Sequence, residues 1–304
     1  MNPRSLAESG SAWLGYMLAL VRGERRRSRA QAAAFLRLYR AMETGYTLPP
    51  PAGDSGGRTT TLGELREDWA RQADTIRTPE PDDGDMIRID GDFDWPEEPV
   101  DAFDRAAVAS LVSQGPAKVR ERVAQAAQEQ ARGRLDDAGF MQELESATTN
   151  AGVTAAGAAD REAIRSGRDL IDRAVQEDRR ALGWARVTDG NPCSFCAMLA
   201  ARGAVYKSRA TAAAGGRRKP RGSADGRNPR NRRPPVTLQD MTRYHYMCHC
   251  QVIPVYTWAE RFTPDAAHWS DEWERVISNN GLSGLEARQE WRRHIDAQRR
   301  EQSN

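Results

Sequence analysis

Hydrophobic residues between Ser11 and Glu43 recur mostly at steps of three and four positions, which is the spacing of one face of an α-helix. The repeating positions are Trp13, Leu14, Met17, Leu18, Val21, Ala33, Leu36, Leu38 and Tyr39. The pattern therefore predicts amphipathic helical structure. The run RGERRRSRA, residues 22–30, lies in its middle, and we interpret it as a solvated polar segment or a turn between two helices. A contact with an acidic partner or nucleic acid is the alternative interpretation of this run.

Two polar segments follow this helical pattern. Residues 48–60, LPPPAGDSGGRTT, have the proline and glycine content of a linker. Thr61, with Glu64 three residues later, predicts the capped start of a short helix. Residues 79–101 hold ten acidic residues against one arginine. The calcium-loop pattern, with its glycine and glutamate at fixed positions, cannot be placed on this segment, so we predict a solvated acidic loop.

Residues 101–181 are rich in alanine and contain few helix-breaking residues, which predicts long helices. Alanine faces bury little area, so these helices favour an additional partner surface. Ordinary packing within one subunit and self-association through this helical arm both remain open.

The character of the sequence changes near residue 182. Strands are predicted at Ala204–Lys207 and at QVIPVY, residues 251–256, on either side of a segment rich in glycine, proline and arginine. This basic insert, residues 207–235, cannot bury enough apolar surface to fold alone, so we predict a flexible loop. The remaining tail predicts polar helices that pack through apolar anchors. These anchors are Trp258, Phe262, Trp269, Trp273 and Trp291.

We predict four segments and a mainly α fold with a small α+β module. Residues 1–100 hold the N-terminal helices and the acidic loop, and residues 101–181 form the alanine-rich helical arm. Residues 182–257 form the cysteine- and histidine-containing module with its basic insert, and residues 258–304 form the C-terminal polar helices.

Charge and hydropathy exclude some classes of protein. The chain has 45 basic and 43 acidic residues and a net charge of +2, which argues against a chain built as a whole to coat nucleic acid or an anionic membrane. No stretch reaches the roughly 18 apolar residues that span a bilayer. The most apolar segment, AWLGYMLALV at 12–21, also makes a poor secretory signal, because only Arg4 precedes it as a basic residue. We therefore expect a soluble protein made in a cytoplasm, with no membrane partner.

All four cysteines lie in two short stretches, NPCSFCAMLA at 191–200 and YHYMCHCQVIPVY at 244–256. A CxxC pair places two thiolates close enough to bind one ion, and a distant second pair completes a tetrahedral zinc site. In an extended CHC segment, Cys248 and Cys250 project to one face and His249 to the other, so His245 is the better imidazole ligand. The candidate sets are Cys193, Cys196 and Cys250 with either Cys248 or His245.

Reduced or disulfide-bonded structural cysteines remain an alternative to this structural zinc site, and so does a catalytic thiol. In the catalytic interpretation Cys193 or Cys196 is the nucleophile, His245 is its base, and Asp189 or Asp240 orients the imidazole. The sequence contains no phosphate-binding loop and no dinucleotide-binding motif. Nothing in the spacing requires catalysis, so we assign no catalytic or cofactor-binding residues.

The segment GWARVTDGNPCSFCAMLAARGAVYKS, the variable insert and YHYMCHCQVIPVY together resemble the minor head proteins of tailed bacteriophages that carry a MuF-like domain. The resemblance covers roughly 182–257 and is closest to the forms found in phages of actinobacteria. It implies that the family's CxxC and H-x-x-C-x-C pattern falls on five residues. These are Cys193, Cys196, His245, Cys248 and Cys250.

The resemblance also implies a role. It points to a low-copy structural component of the phage head, made in the host bacterial cytoplasm and located near the portal in the virion. The implied partners are the portal protein and the major capsid protein. The charge of the basic residues at 207–233 suits contact with packaged DNA, and a disordered solvated insert is the alternative interpretation. Two alternative functions accompany this one, a capsid maturation protease and a DNA-binding virion protein that travels with the genome.

Overall fold

The computed structural model describes residues 3–51, 58–206, 249–257 and 263–302, and the structural statements below concern these residues. Its helices are α1 (Pro3–Thr44), α2 (Leu62–Ala73), α3 (Val100–Gln114), α4 (Pro116–Ala131), α5 (Asp137–Glu177), α6 (Ser194–Ala200), α7 (Pro264–Trp273) and α8 (Gly284–Gln302). A π-helical turn, Glu274–Ser278, continues α7. Its strands are β1 (Tyr46–Thr47), β2 (Thr59–Thr61), β3 (Met86–Ile89), β4 (Gly183–Val187), β5 (Val205–Tyr206) and β6 (Gln251–Val255). The predicted class, mainly α with a little β, is confirmed.

The strands form two small sheets. In the first, β3 lies between β1, to which it is parallel, and β2, to which it is antiparallel. In the second, β4 lies between β5 and β6 and pairs antiparallel with both. The strands predicted at Ala204–Lys207 and at residues 251–256 are therefore confirmed as β5 and β6.

The chain divides into two compact units. The described part of the first comprises residues 3–30 and 97–167, and that of the second comprises 31–51, 58–96, 168–206, 249–257 and 263–302. The first unit is entirely helical, and the second contains both sheets. The predicted segment boundaries remain predictions.

Small residues bring the helices of the first unit close together. Buried alanines recur along α5 at helical spacing, namely Ala147, Ala151, Ala155 and Ala158. At Gly115, between α3 and α4, a Cβ atom would lie 3.1 Å from Trp13 Cη2 and 3.4 Å from Ala155 Cβ. At Gly167 of α5, a Cβ would lie 2.5 Å from the hydroxyl oxygen of Ser28 in α1. Larger side chains at these two positions would push the helices apart.

The predicted interruption of the first helix at residues 22–30 is wrong, because α1 runs through this arginine-rich segment without a break. Arginine is a good helix former, and here the charges are compensated by a residue distant in sequence. Arg22 donates from Nε and Nη2 to Asp104 Oδ2, at 3.0 and 2.6 Å, and Arg25 donates to the other oxygen of the same carboxylate. The side chain of Arg25 is only 3% exposed, so it is not solvated as the sequence suggested.

The hydrogen bond from Arg22 is the largest influence on Asp104 and lowers the pKa of its carboxyl group. A lowered folded-state pKa means that the ionised form is favoured by folding. The resulting stabilisation is present above the ordinary aspartate pKa and is lost as the pH falls through the lowered value.

The helix start predicted from Thr61 and Glu64 is confirmed. The Thr61 hydroxyl accepts the Glu64 backbone N–H at 3.1 Å, and the Glu64 carboxylate accepts the Thr61 backbone N–H at 3.1 Å. The two groups form a capping box, which satisfies donors that the first turn of α2 leaves without helical partners.

The acidic segment 79–101 is not simply a solvated loop, which corrects the prediction. Strand β3 lies within it, and its acidic side chains bind arginines. Arg66 donates to Asp82 at 2.5 Å and to Asp83 at 2.9 Å, and the first of these hydrogen bonds lowers the pKa of the Asp82 carboxyl group. The indole N–H of Trp95 donates to the Pro49 carbonyl at 2.9 Å. Residues 79–96 are thus held within the second unit by both charge and hydrogen bonding.

The hydrophobic core of the second unit joins the end of α1, the end of α5 and the sheet that contains β4. Its residues are Ala32, Ala33, Leu36, Leu48, Leu170, Ile171, Ala174, Val175, Ala181, Trp184, Val252 and Tyr256. Beside this core, Arg40 donates to both oxygens of Asp178, at 2.9 and 3.1 Å. Asp90 accepts from Arg40 at 2.5 Å and from Arg180 at 2.9 Å. Burial opposes ionisation of Asp90, but these hydrogen bonds lower the pKa of its carboxyl group.

Replacing Asp178 with Asn tests this buried ion pair. The side chains of Arg40 and Asp178 are 2% and 3% exposed, so the substitution leaves a buried guanidinium without its bidentate partner. We expect the free energy of unfolding to fall by about 3 kcal/mol. Urea unfolding at neutral pH measures the loss. The control is Asp271→Asn at an exposed position of α7, and equal losses in the two variants would contradict the prediction.

Candidate cysteine site

The pairing of β4 with β6 brings the two cysteine stretches together. Val187, at the end of β4, lies opposite Gln251, at the start of β6. Continuing this antiparallel register by two residues sets Cys250 and His249 beside Thr188 and Asp189. The register of a small sheet therefore positions residues that are about 60 positions apart in sequence.

Three cysteines lie in one cluster. Cys196 and Cys250 are buried, and Cys193 and Phe195 pack against them. Cys193 occupies the position before α6, where its sulfur accepts the backbone N–H of Cys196 at 3.4 Å. The predicted proximity of the CxxC pair to Cys250 is thus observed among the described residues. Cys248 and His245 lie outside them.

Asp189 lies at the edge of this cluster. Its Oδ1 atom accepts from the Cys250 thiol at 3.8 Å and from the Asn191 backbone N–H at 3.2 Å. Its Oδ2 atom is 3.7 Å from Nδ1 of His249. His249 is exposed while Cys250 is buried, as the alternation of an extended segment predicts. The sequence suggested Asp189 only as a partner of His245, and the structure adds its contact with Cys250.

Arg168 anchors the β6 side of the cluster. This buried residue of α5 donates from Nη2 to the backbone carbonyl of Cys250 at 3.1 Å. The sequence carried no signal for this contact, because the arginine lies 82 positions before the cysteine.

The loop between β4 and the CxxC pair is held by the C-terminal helices. Asp265 of α7 accepts the Thr188 backbone N–H and hydroxyl, both at 2.8 Å, and the Trp269 indole N–H at 2.8 Å. Trp291 of α8 donates its indole N–H to the Ser194 carbonyl at 2.8 Å, inside the CxxC pair. The C-terminal tail is therefore part of the cysteine site, which the sequence did not indicate.

A tryptophan cluster forms the contact between α6 and the two C-terminal helices. Trp269, Trp273 and Trp291 are buried together with Ala197 and Ala200 of α6 and with Ala201, which follows the helix. The ring centroids of Trp273 and Trp291 lie 5.0 Å apart. The predicted packing role of these three tryptophans is confirmed. The other two predicted anchors, Trp258 and Phe262, lie outside the described residues.

The same helices are joined by a polar contact. His294 of α8 is half-buried, and its Nε2 atom lies 2.8 Å from Glu272 Oε2. Hydrogen bonding from Arg275, and then from His294, lowers the pKa of the Glu272 carboxyl group.

The described residues contain part of the candidate metal site and part of the candidate catalytic site. Within residues 3–51, 58–206, 249–257 and 263–302, no group of three or more histidine, cysteine or acidic side chains is arranged to hold an ion. Cys193, Cys196 and Cys250 nevertheless pack in one cluster, and thiolates are the soft ligands that zinc accepts. A fourth ligand, Cys248 or His245, would come from outside the described residues, as would Asp240 of the catalytic alternative. The basic insert, residues 207–235, also lies outside them.

Replacing Asp265 with Ala tests whether α7 fixes the loop between β4 and the CxxC pair. The change removes the acceptor of three hydrogen bonds, so we expect unfolding to become easier by about 2 kcal/mol. We also expect faster alkylation of Cys193, because the loop that precedes it is released. Urea unfolding and mass spectrometry of iodoacetamide-treated protein measure the two effects. Asp271→Ala on the same helix is the control, and an unchanged alkylation rate in Asp265→Ala would contradict the predicted hold.

Comparison with known proteins places these features in a family. The profile of a family described as VG15 protein matches residues 94–276, more than half of the 304-residue chain. No curated protein and no solved structure matches the chain. None of the helices in the described ranges is both long and apolar enough to cross a membrane. The matched segment includes the described cysteines and ends before α8. The chain therefore belongs to the VG15 protein family and is a phage-associated protein.

Proposed function

We propose that this phage protein is a minor head protein of the MuF-like type, a structural component near the portal that carries out no reaction. The observation that carries the proposal is the packing of the half-buried Cys193 against the buried Cys196 and Cys250, between a small sheet and a short helix. Buried thiols at such a junction suit a structural zinc site that cross-links the chain better than they suit a substrate site. We call this proposed site the zinc clasp. Membership of a phage-associated family supports the biological setting.

A clasp has a clear physical purpose in this module. The sheet that carries the cysteine site has strands of only two to five residues. Sheets this small need additional packing or a cross-link to be stable. A structural zinc ion contributes folding free energy directly. Cys193, Cys196 and Cys250 would hold it, together with Cys248 or His245.

Zinc content tests the clasp. Protein purified under reducing conditions is expected to hold about one zinc ion per chain, and a chelator is expected to lower its melting temperature, because structural zinc is bound only by the folded module. Elemental analysis and thermal unfolding measure these quantities. Cys196→Ser should lose the metal, whereas Ser194→Ala, which leaves every sulfur in place, should keep it. A zinc content near zero together with a melting temperature that the chelator leaves unchanged would exclude the zinc clasp.

The proposed partners are the portal protein and the major capsid protein, and the proposed location is the virion head after synthesis in the host bacterial cytoplasm. Self-association through residues 101–181 is a further proposal, supported by the exposed side chains of Met141 and Val153 on α5. Contact of the basic residues at 207–233 with packaged DNA is proposed from charge alone.

The minor-head proposal is tested in virions. An epitope-tagged chain is expected in purified heads at a copy number far below that of the major capsid protein, and cross-linking is expected to join it to the portal protein. Quantitative mass spectrometry of intact particles measures both. Absence from heads, or a copy number equal to that of the major capsid protein, would overturn the proposal.

Experiments in the same phage distinguish the minor-head proposal from the protease alternative. Phages carrying Cys193→Ala, Cys196→Ala or His245→Ala are expected to trim their capsid proteins normally, although zinc-dependent stability is lost. Loss of trimming in particles that still assemble would favour the maturation protease instead.

A further inference from the structure

The first unit carries a surface on which arginines outnumber the carboxylates that bind them. Asp104 is shared by Arg22 and Arg25. Glu162 is shared by Arg161 and Arg165, at 2.7 and 3.1 Å. Asp104 can neutralise only one of its two guanidiniums, so its cluster keeps a positive charge.

The two clusters are joined beneath the surface by the buried Phe103 of α3. The Phe103 ring of α3 lies between them, with the guanidinium carbon of Arg25 5.9 Å and that of Arg165 4.5 Å from its centroid. Arg161 also donates to the Ser110 hydroxyl of α3 at 2.8 Å. We call the exposed or half-buried residues Arg22, Arg26, Arg161 and Arg165 the arginine ridge, which the buried Arg25 supports. Helices α1, α3 and α5 hold it in place.

The guanidinium groups of the ridge face solvent more than its carboxylates do. The side chains of Arg22 and Arg165 are 50% and 42% exposed, against 20% for Asp104 and 3% for Glu162. Arg26 is also exposed, and it lies one helical turn, about 6 Å, beyond Arg22 on the same face of α1. An approaching partner therefore meets positive charge.

We propose that the arginine ridge binds the phosphate backbone of duplex DNA. Planar guanidinium groups bind phosphate oxygens through paired hydrogen bonds, and arginines one turn apart reach successive phosphates of a strand. The proposed contacts are made to phosphates, so binding depends on backbone charge rather than on sequence. It does not depend on the zinc clasp or the minor-head proposal. It is also separate from the basic residues at 207–233.

Salt-dependent DNA binding by the full-length chain tests the ridge. Fluorescence anisotropy with a labelled DNA duplex gives affinity at several potassium chloride concentrations. In the double variant Arg22→Gln/Arg26→Gln two phosphate contacts are lost, so the slope of log affinity against log salt should become shallower by about 1.8. Arg25 still binds Asp104 in this variant, which preserves the fold.

The matched control is Arg288→Gln/Arg292→Gln in α8. It removes the same two charges at the same spacing from an exposed helical face of the second unit. Its slope should stay close to that of the unchanged chain. An equal change in both double variants would overturn the proposal, because net charge alone would then explain it.

Two further measurements complete the test. Deletion of residues 209–235 removes most of the basic insert, and the effect of the ridge variant should persist in that background. Its disappearance would assign DNA binding to the insert alone. Poly-glutamate should compete more weakly than DNA of equal charge, and equal competition would identify an acidic protein as the partner instead.

If the ridge variant unfolds, Arg26→Glu, which leaves the Asp104 ion pairs in place, should weaken binding at low salt. Unchanged binding would overturn the proposal.

Discussion

Arginine bound to a buried or half-buried carboxylate is the interaction on which both units of this protein depend. The chain has a mean hydropathy of −0.75, and many of its buried side chains are alanines, which contribute little apolar area. In the first unit Asp104 binds two arginines of α1, and in the second unit Arg40 binds Asp90 and Asp178. These contacts fix helices whose small faces would otherwise pack in several ways.

Such ion pairs stabilise the folded chain only when both charges and their hydrogen bonds are present. Removing two charges from water costs several kcal/mol per ion, and the cost is recovered when geometry is good and the hydrogen bonds are satisfied. The bidentate contact of Arg40 with Asp178 meets that condition. Beside it, burial and the Asp178 carboxylate raise the pKa of Tyr256 well above its usual range, so this phenol stays neutral and packs as part of the core. Charge and apolar packing therefore operate together in the second unit.

The sequence predicted features that depend on neighbouring residues. The Thr61 and Glu64 capping box, strand β6 and the buried tryptophans of the tail all follow from local spacing. At residues 22–30 the expected solvent exposure holds for Arg22 and Arg26 but not for Arg25, because the carboxylate that binds Arg25 lies 79 positions away.

The cysteine site was also only partly predictable from the sequence. The CxxC pair and Cys250 were identified from spacing and do lie together. The contact of Asp189 with Cys250 depends on strand register, and the contacts of Asp265 and Trp291 depend on how the C-terminal helices pack. No local pattern in the sequence encodes either of these.

The hydrogen bond from Trp291 to the Ser194 carbonyl also has a consequence during protein synthesis. Its two partners are 97 positions apart, and the donor is made second. At translation rates of about 5–20 residues per second, roughly 5–20 s pass between the synthesis of the cysteine pair and that of the tryptophan. During that interval the nascent chain presents the CxxC thiols without the helix that later covers their turn. Protection of these thiols on the ribosome therefore depends on the reducing environment of the cell rather than on the fold.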